Sequence, residues 1–243
     1  MDENLVSEIR ARLEDTQEKI ARAAHSAGRD PSAVRLVVVT KTHPVASVQA
    51  AIQAGACNLG ENYAEEAVLK INQIGMSDVE WHMIGHVQSR KADLVAKHFD
   101  WMHSLDSLKL AGRLDRFCAD AGRILPVLLE VNVSSEDSKF GYPAWDSNQW
   151  PALRDEFLQI AAMPNLRVCG LMTMPPFADL AEESRPFFVQ MRRVQEYLAK
   201  QIPAADWGQL SMGTSVDFTV AVEEGATLVR VGTAIMGQRP TRG

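Results

Sequence analysis

Three places in the chain gather residues whose types could do chemistry. The stretch RLVVVTKTHP, residues 35–44, runs from a β-branched apolar segment straight into Lys41, with His43 and Pro44 just beyond. Lysine is rarely buried without a partner. At the end of a core strand its amine is partly desolvated, which lowers its pKa and exposes a nucleophile able to form a Schiff base with an aldehyde. The competing reading is a stem that packs while the head reaches solvent. The other two places are SMGTS, residues 211–215, and RVGT, residues 230–233. Each puts glycine and hydroxyl residues directly after a short strand-like run. Gly213 and Gly232 permit close approach of the backbone to a ligand. Thr214 or Ser215 can cap a following helix whose free N–H groups face an anion, and Gly232 with Thr233 offers the same chemistry on the next loop. Ordinary capping competes with this, since Thr214 and Asp217 resemble a capping box. Two such loops weigh more than one.

The elements that must position these residues follow from hydrophobic periodicity. Leu5, Ile9, Leu13 and Ile20 recur near helical spacing, so the chain opens on an amphipathic helix that Gly28 and Pro31 end. Strands are expected at 35–40, 56–60, 80–84, 100–104, 125–132, 166–172, 208–212 and 227–231. Helices are expected at 44–54, 62–74, 88–98, 107–121, 147–162, 183–200 and 215–224, so every strand except the last is followed by a helix. Repeated strand-then-helix order implies parallel pairing, and parallel strands covered on both faces read as continuous apolar runs. Eight such units in a chain of 243 residues predict an α/β fold. Its form is a single (β/α)₈ barrel of the TIM type with an extra N-terminal helix. The expectation is one domain over 1–243 with a long loop at 133–146. An open doubly wound sheet competes, but no Gly-x-Gly-x-x-Gly follows the first strand. In such barrels chemistry sits at the C-terminal strand ends, and the loops after strands seven and eight often hold a phosphate.

Composition narrows the function classes. The net charge is −6 and no basic cluster occurs, which argues against nucleic acid or an anionic membrane as partner. No apolar run is long enough to span a bilayer. The N-terminal residues are charged throughout, unlike a signal peptide, and the three cysteines form no Cys-x-x-Cys. Both features lead to the expectation of a cytoplasmic protein with reduced thiols.

An amine on the first strand and an anion cradle on the last two would together suit a phosphorylated aldehyde, pyridoxal 5′-phosphate (PLP). Arg230 points from the last strand to the same mouth. A guanidinium stays protonated, so facing the pyridine nitrogen it would keep that nitrogen unprotonated and weaken the ring as an electron sink. A metal hydrolase using His82 and His86 is a weaker reading. Residues four apart on a strand lie ~13 Å from each other, and no His-Glu-x-x-His is present. The site residues are expected to include no metal ligands. Asp106, Asn132 and the 134–139 segment read as mouth-shaping or capping residues, and Met172 and Met174 as wall.

These motifs resemble the pyridoxal-phosphate homeostasis proteins, the YggS-like family. The segments VVVTKTHP, NLGENYAEE, WHMIGHVQSRK, LLEVNVSSEDSKFG, LRVCGLMTM and LSMGTSVDFTVAVEEGATLVRVGTAIMG follow that family's order over nearly the whole chain. The resemblance implies a fold-type III barrel like the N-terminal domain of alanine racemase. It matches Lys41 to the cofactor-bearing lysine. It matches Ser211, Gly213, Thr214, Ser215, Gly232 and Thr233 to the phosphate-binding region, and Arg230 to the arginine near the pyridine nitrogen. Asn62 and His82 match positions lining the pocket. The sequence departs from the family at Thr214, where methionine is common, and at Arg90, where asparagine is common; no role is carried onto Arg90.

The resemblance implies a protein that holds PLP as a lysine Schiff base and takes part in vitamin B6 homeostasis, without established turnover. It also implies a monomer, and leaves open whether PLP-dependent apoenzymes receive the cofactor. The alternative is an amino-acid racemase or related lyase of low activity. A two-base racemisation needs a second acid–base group across the substrate. In racemases a tyrosine of the partner's β domain supplies it, and the expectation here is a chain without that domain. Of the three tyrosines, Tyr63 near the mouth is the one to test, and Tyr142 could reach inward if its loop folds over.

Overall fold

A computed structural model describes residues 2–75, 78–136 and 138–238. The first helix, α1 (Glu3–Ser26), is capped by Asp2, whose carboxylate accepts from the amides of Asn4 and Leu5. It buries Ile9, Leu13 and Ile20 along one stripe, as the periodicity predicts. Eight parallel strands follow: β1 (Arg35–Val39), β2 (Asn58–Glu61), β3 (Glu80–Met83), β4 (Trp101–Leu105), β5 (Leu125–Asn132), β7 (Leu166–Met172), β8 (Gln209–Ser211) and β9 (Leu228–Val231). Each pairs with the next, β9 pairs with β1, and β4 pairs with β5, so the sheet closes into a barrel. Inside the long 133–146 loop, a two-residue strand β6 (Tyr142–Pro143) pairs with the end of β5.

The connecting helices are α2 (Val45–Gln53), α3 (Ala64–Ile74), α4 (Ala92–His98), α5 (Leu108–Asp120), α6 (Trp150–Ala161), α7 (Arg185–Gln201) and α8 (Phe218–Glu223). The last strand is followed by a short helix after all, α9 (Thr233–Met236). Four residues cannot cover the β9–β1 wall. The 24-residue α1 does so instead, packing against α2, α8 and α9. The N-terminal helix therefore completes the outer layer.

The barrel strands alternate in a way that continuous apolar runs do not suggest. Val38, Leu59, Met83, Met102, Leu129, Leu171, Leu210, Val229 and Val231 face outward into the main core beneath the helices. The inward set divides by height. Val37, Trp101, Leu128, Cys169, Met172 and Leu228 form a separate apolar plug, which only the barrel interior can bring together. Above it the inward positions turn polar: His82, His103, Glu130, Ser211 and Arg230, all buried. The plug excludes water from below and desolvates this polar tier, and the cavity opens above it.

Candidate functional site

A cavity of about 490 Å³ lies at the C-terminal ends of the strands. That is within the range of roughly 300–1,000 Å³ usual for small-molecule sites. Lys41, Asn62, Thr214, Ser215, Arg230, Gly232 and Thr233 all line it. The structure thus brings seven of the ten candidates to one surface. Lys41 sits one residue past Thr40, at the turn where β1 leaves the barrel wall.

The two glycine-bearing loops meet on the same cavity rim as Lys41, the β9 loop next to the end of β1. Ser215 Oγ accepts from the Gly232 amide at 3.2 Å, with the Ala234 amide at 3.5 Å, which ties the β8 loop to the β9 loop. Asp217 Oδ1 accepts from both the amide and the hydroxyl of Thr214, at 2.6 and 3.0 Å. This is the reverse half of the anticipated capping box: the carboxylate reaches back to the loop. Gly213 is required here by packing. Its φ is +93°, and a Cβ would lie 2.6 Å from that of Ala221 and 2.9 Å from Cα of Phe218. Gly213 therefore lets the β8 loop press onto α8, while its neighbours Thr214 and Ser215 meet the cavity.

Ser211 and His82 lie below the cavity floor. Arg230 donates from Nη1 to Ser211 Oγ at 2.5 Å and from Nη2 to the Thr173 carbonyl at 2.9 Å. Ser211 Oγ stands 2.8 Å from His103 Nδ1; His103 Nε2 is 2.9 Å from His82 Nδ1; His82 Nε2 is 3.2 Å from Asn58 Oδ1. Because the Asn58 Oδ1 only accepts and a neutral imidazole carries a single N–H, the direction of this chain is fixed. The Ser211 hydroxyl donates to His103 Nδ1, and each imidazole carries hydrogen on Nε2, ending on the Asn58 oxygen. Both imidazoles are neutral: burial pulls His82 down to about 3 and His103 well below its usual value. The result is an uncharged strut that fixes the Arg230 fork. Burial also pulls the guanidinium to about 10, opposed by Glu130, and it stays cationic at neutral pH.

Glu130 was missed by sequence reasoning, although it breaks an otherwise apolar strand, and that break is the signal that could have found it. It lines the cavity, is 6% exposed, and its Oε2 is buried with no hydrogen-bond partner. Burial, with Asp106 nearby, pushes its carboxyl up to about 7, against the pull of Arg230. Ile84, Lys139, Phe140, Met174 and Phe177 also line the cavity, Phe177 at the rim with 84% exposure. His86 stacks on Phe140 with centroids 4.1 Å apart and pairs through Nδ1 with Asp106 at 2.7 Å. His86 and His82 thus have separate partners, and among the described residues no three His, Cys, Asp or Glu group to hold a metal ion. Tyr63 is exposed, and Tyr142 packs edge-on against Phe157 with its phenol pushed upward by burial; neither lines the cavity.

Residues 12–240 match the family model described as alanine racemase, N-terminal domain. The chain belongs to that family. Within the alanine racemase N-terminal-domain family it is similar to the pyridoxal phosphate homeostasis protein of Pasteurella multocida, at 42% identity over 95% of this chain and 97% of the relative. The protein of the same name in Pseudomonas aeruginosa is 41% identical, over 96% of this chain and 97% of its own. Among solved structures, PipY of Synechococcus elongatus with PLP bound superposes with a TM-score of 0.78 at 37% identity, covering 90% of this chain and all of PipY (100%). Alanine racemase from Streptomyces coelicolor shares the fold, with a TM-score of 0.70 at 19% identity over 58% of its length.

Proposed function

We propose that this chain binds PLP in the cavity and serves vitamin B6 homeostasis. The observation that carries the reading is that Lys41, Arg230 and both glycine-bearing loops line one cavity. The residues fit the group: a primary amine on one wall, a buried guanidinium in the floor, and backbone at Gly232 where a Cβ would crowd Val39 at 3.3 Å. The relatives named for PLP homeostasis and the PLP-bound PipY support it.

When bound, PLP supplies an aldehyde that condenses with a primary amine and releases one water. Lys41 presents that amine. Thr214, Ser215, Gly232 and Thr233 orient the phosphate, with Gly213 shaping the loop beneath them. Arg230, held by Ser211 and the two imidazoles, keeps a positive charge at the floor and denies a proton to whatever ring nitrogen faces it. Asn62 shapes the wall beside Lys41, and the His82–His103 strut acts from behind. The same reading carries a monomer, a cytoplasmic location and delivery to PLP-dependent apoenzymes.

Equilibrium dialysis against PLP tests it: one equivalent bound by the wild type and loss of at least most of that affinity in Lys41→Ala are expected. Binding that ignores Lys41, or no binding, sinks the reading. Incubating the loaded protein with an L-amino acid and following product chirality separates carrier from racemase. No turnover is expected, since neither Tyr63 nor Tyr142 lines the cavity.

A further inference from the structure

Outside the barrel wall, between β2 and α3, lies a second buried polar cluster that the proposed function does not use. Lys70, on α3, is 4% exposed, and Glu61, at the end of β2, is fully buried. Lys70 Nζ donates to Glu61 Oε1 at 2.7 Å and to the Thr40 carbonyl at 2.9 Å, and it pairs with Glu66 Oε1 at 2.7 Å. Glu61 Oε1 also accepts from the Thr40 hydroxyl at 2.7 Å, and Glu66 Oε1 accepts from the Thr42 amide at 2.8 Å. Every one of these bonds ends on Thr40 or Thr42 or joins the groups that do, and Lys41 stands between those two residues.

The turn needs holding. The His43 amide donates to the Thr40 carbonyl at 3.1 Å, so residues 40–43 form a β-turn with Lys41 and Thr42 at its corners. Thr42 has φ of 63°, the sole non-glycine residue with positive φ among those described. Glycine usually takes that corner, and a β-branched residue there is strained. Such strain persists where the surroundings over-determine the backbone. Here they do: Lys70 takes the carbonyl before Lys41, and Glu66 takes the amide after it. Burial pushes the Glu61 carboxyl up, against the pull of Lys70.

We infer that Glu61, Glu66 and Lys70 are positioning residues, a charged clamp that sets the backbone of the Lys41 turn and so aims the Lys41 amine into the cavity. This rests on the reading of Lys41 as the attachment residue. The clamp fixes a turn rather than a ligand contact, so it acts on covalent attachment and leaves recognition of ring and phosphate alone.

Two ligands separate these effects. PLP needs Lys41; pyridoxine 5′-phosphate has the same ring and phosphate with an alcohol in place of the aldehyde. Lys41→Ala sets the scale, bringing the two to similar affinity; if it does not, the attachment reading fails and the clamp falls with it. Glu66→Ala, at a side chain 30% exposed, is then expected to weaken PLP by about tenfold and leave pyridoxine 5′-phosphate within about twofold, as loss of one charged hydrogen bond implies. Glu66→Gln keeps an acceptor for the Thr42 amide and should recover most of the difference. Lys70→Met should shift the same ratio further. Equal weakening of both ligands in Glu66→Ala, or no change in either, overturns the inference while leaving Lys41 attachment intact.

Discussion

Two buried polar networks flank the cavity, and they are built on opposite electrostatic plans. The outer one, Thr40–Glu61–Lys70–Glu66, is ionic and sits between a strand and a helix. The inner one, Asn58–His82–His103–Ser211–Arg230, runs through uncharged imidazoles inside the barrel and carries a single cation at its cavity end. The difference follows from what each must hold. A strained turn is set by strong acceptors and donors on both sides of it. A lone guanidinium in a desolvated floor must be oriented without a counter-charge beneath it, which would cancel the field it offers a ligand.

The comparison breaks most visibly at Lys70. Removing one member of a buried ion pair leaves the other uncompensated, so Lys70→Met should cost about 3–5 kcal/mol in urea unfolding. Adding Glu61→Met should recover part of that, because a hydrophobic replacement of the whole pair is often neutral. An equal loss in single and double variants would show that the charge is not what matters there.

Next in size is the pH dependence of the inner tier. Glu130 is held at about 7 in the fold against 4.5 in the unfolded chain. Its contribution to stability is fully present below about pH 4.5 and is lost as pH rises through about 7. Glu130→Gln should therefore gain on the order of 3 kcal/mol over the wild type between pH 4.5 and 8. His82 runs the other way: lowered from 6.5 to about 3, it contributes above pH 6.5 and that contribution fades as pH falls toward 3. Relative to the wild type, Glu130→Gln should thus gain as pH rises from about 4.5 to 7, and His82→Phe should gain as pH falls from 6.5 toward 3; parallel curves would remove the assigned ionisation states.

His103→Phe should cost less than Lys70→Met, about 1–3 kcal/mol, since it orphans neutral groups at Ser211 and His82. Nitrogen NMR of the wild type should show both imidazoles protonated on Nε2 alone. The smallest effect is expected for Thr42→Gly. It relieves the positive φ and removes a buried, unpartnered hydroxyl, while giving the unfolded chain more freedom. Thermal unfolding should place it within about 1 kcal/mol of the wild type.

Much of this was legible in the sequence. Strand-then-helix order gave the barrel, Lys41 at the end of RLVVVT marked an amine on the cavity rim, and the glycines at 213 and 232 marked two loops of the same rim. What escaped has a common cause. Apolar runs such as LVVV suggest strands buried alike on both faces, but inward positions of β3, β4, β5, β8 and β9 carry His82, His103, Glu130, Ser211 and Arg230. Ser211 and His82 were legible as residues and not as places: a polar residue near a strand end reads the same whether it faces a ligand or braces another side chain. The clamp could not be assembled from sequence, because α3 turns Lys70 back toward the β1 turn from 30 residues further along the chain, reaching Thr40 only through tertiary packing.

The most direct test of the central claim is reductive trapping. The full chain is loaded with PLP, reduced with borohydride, digested, and the labelled peptide sequenced by mass spectrometry. The account predicts the pyridoxyl group on Lys41, in one-to-one yield, and none on Lys70 or Lys139. A label spread over several lysines, or absent from Lys41, would contradict it.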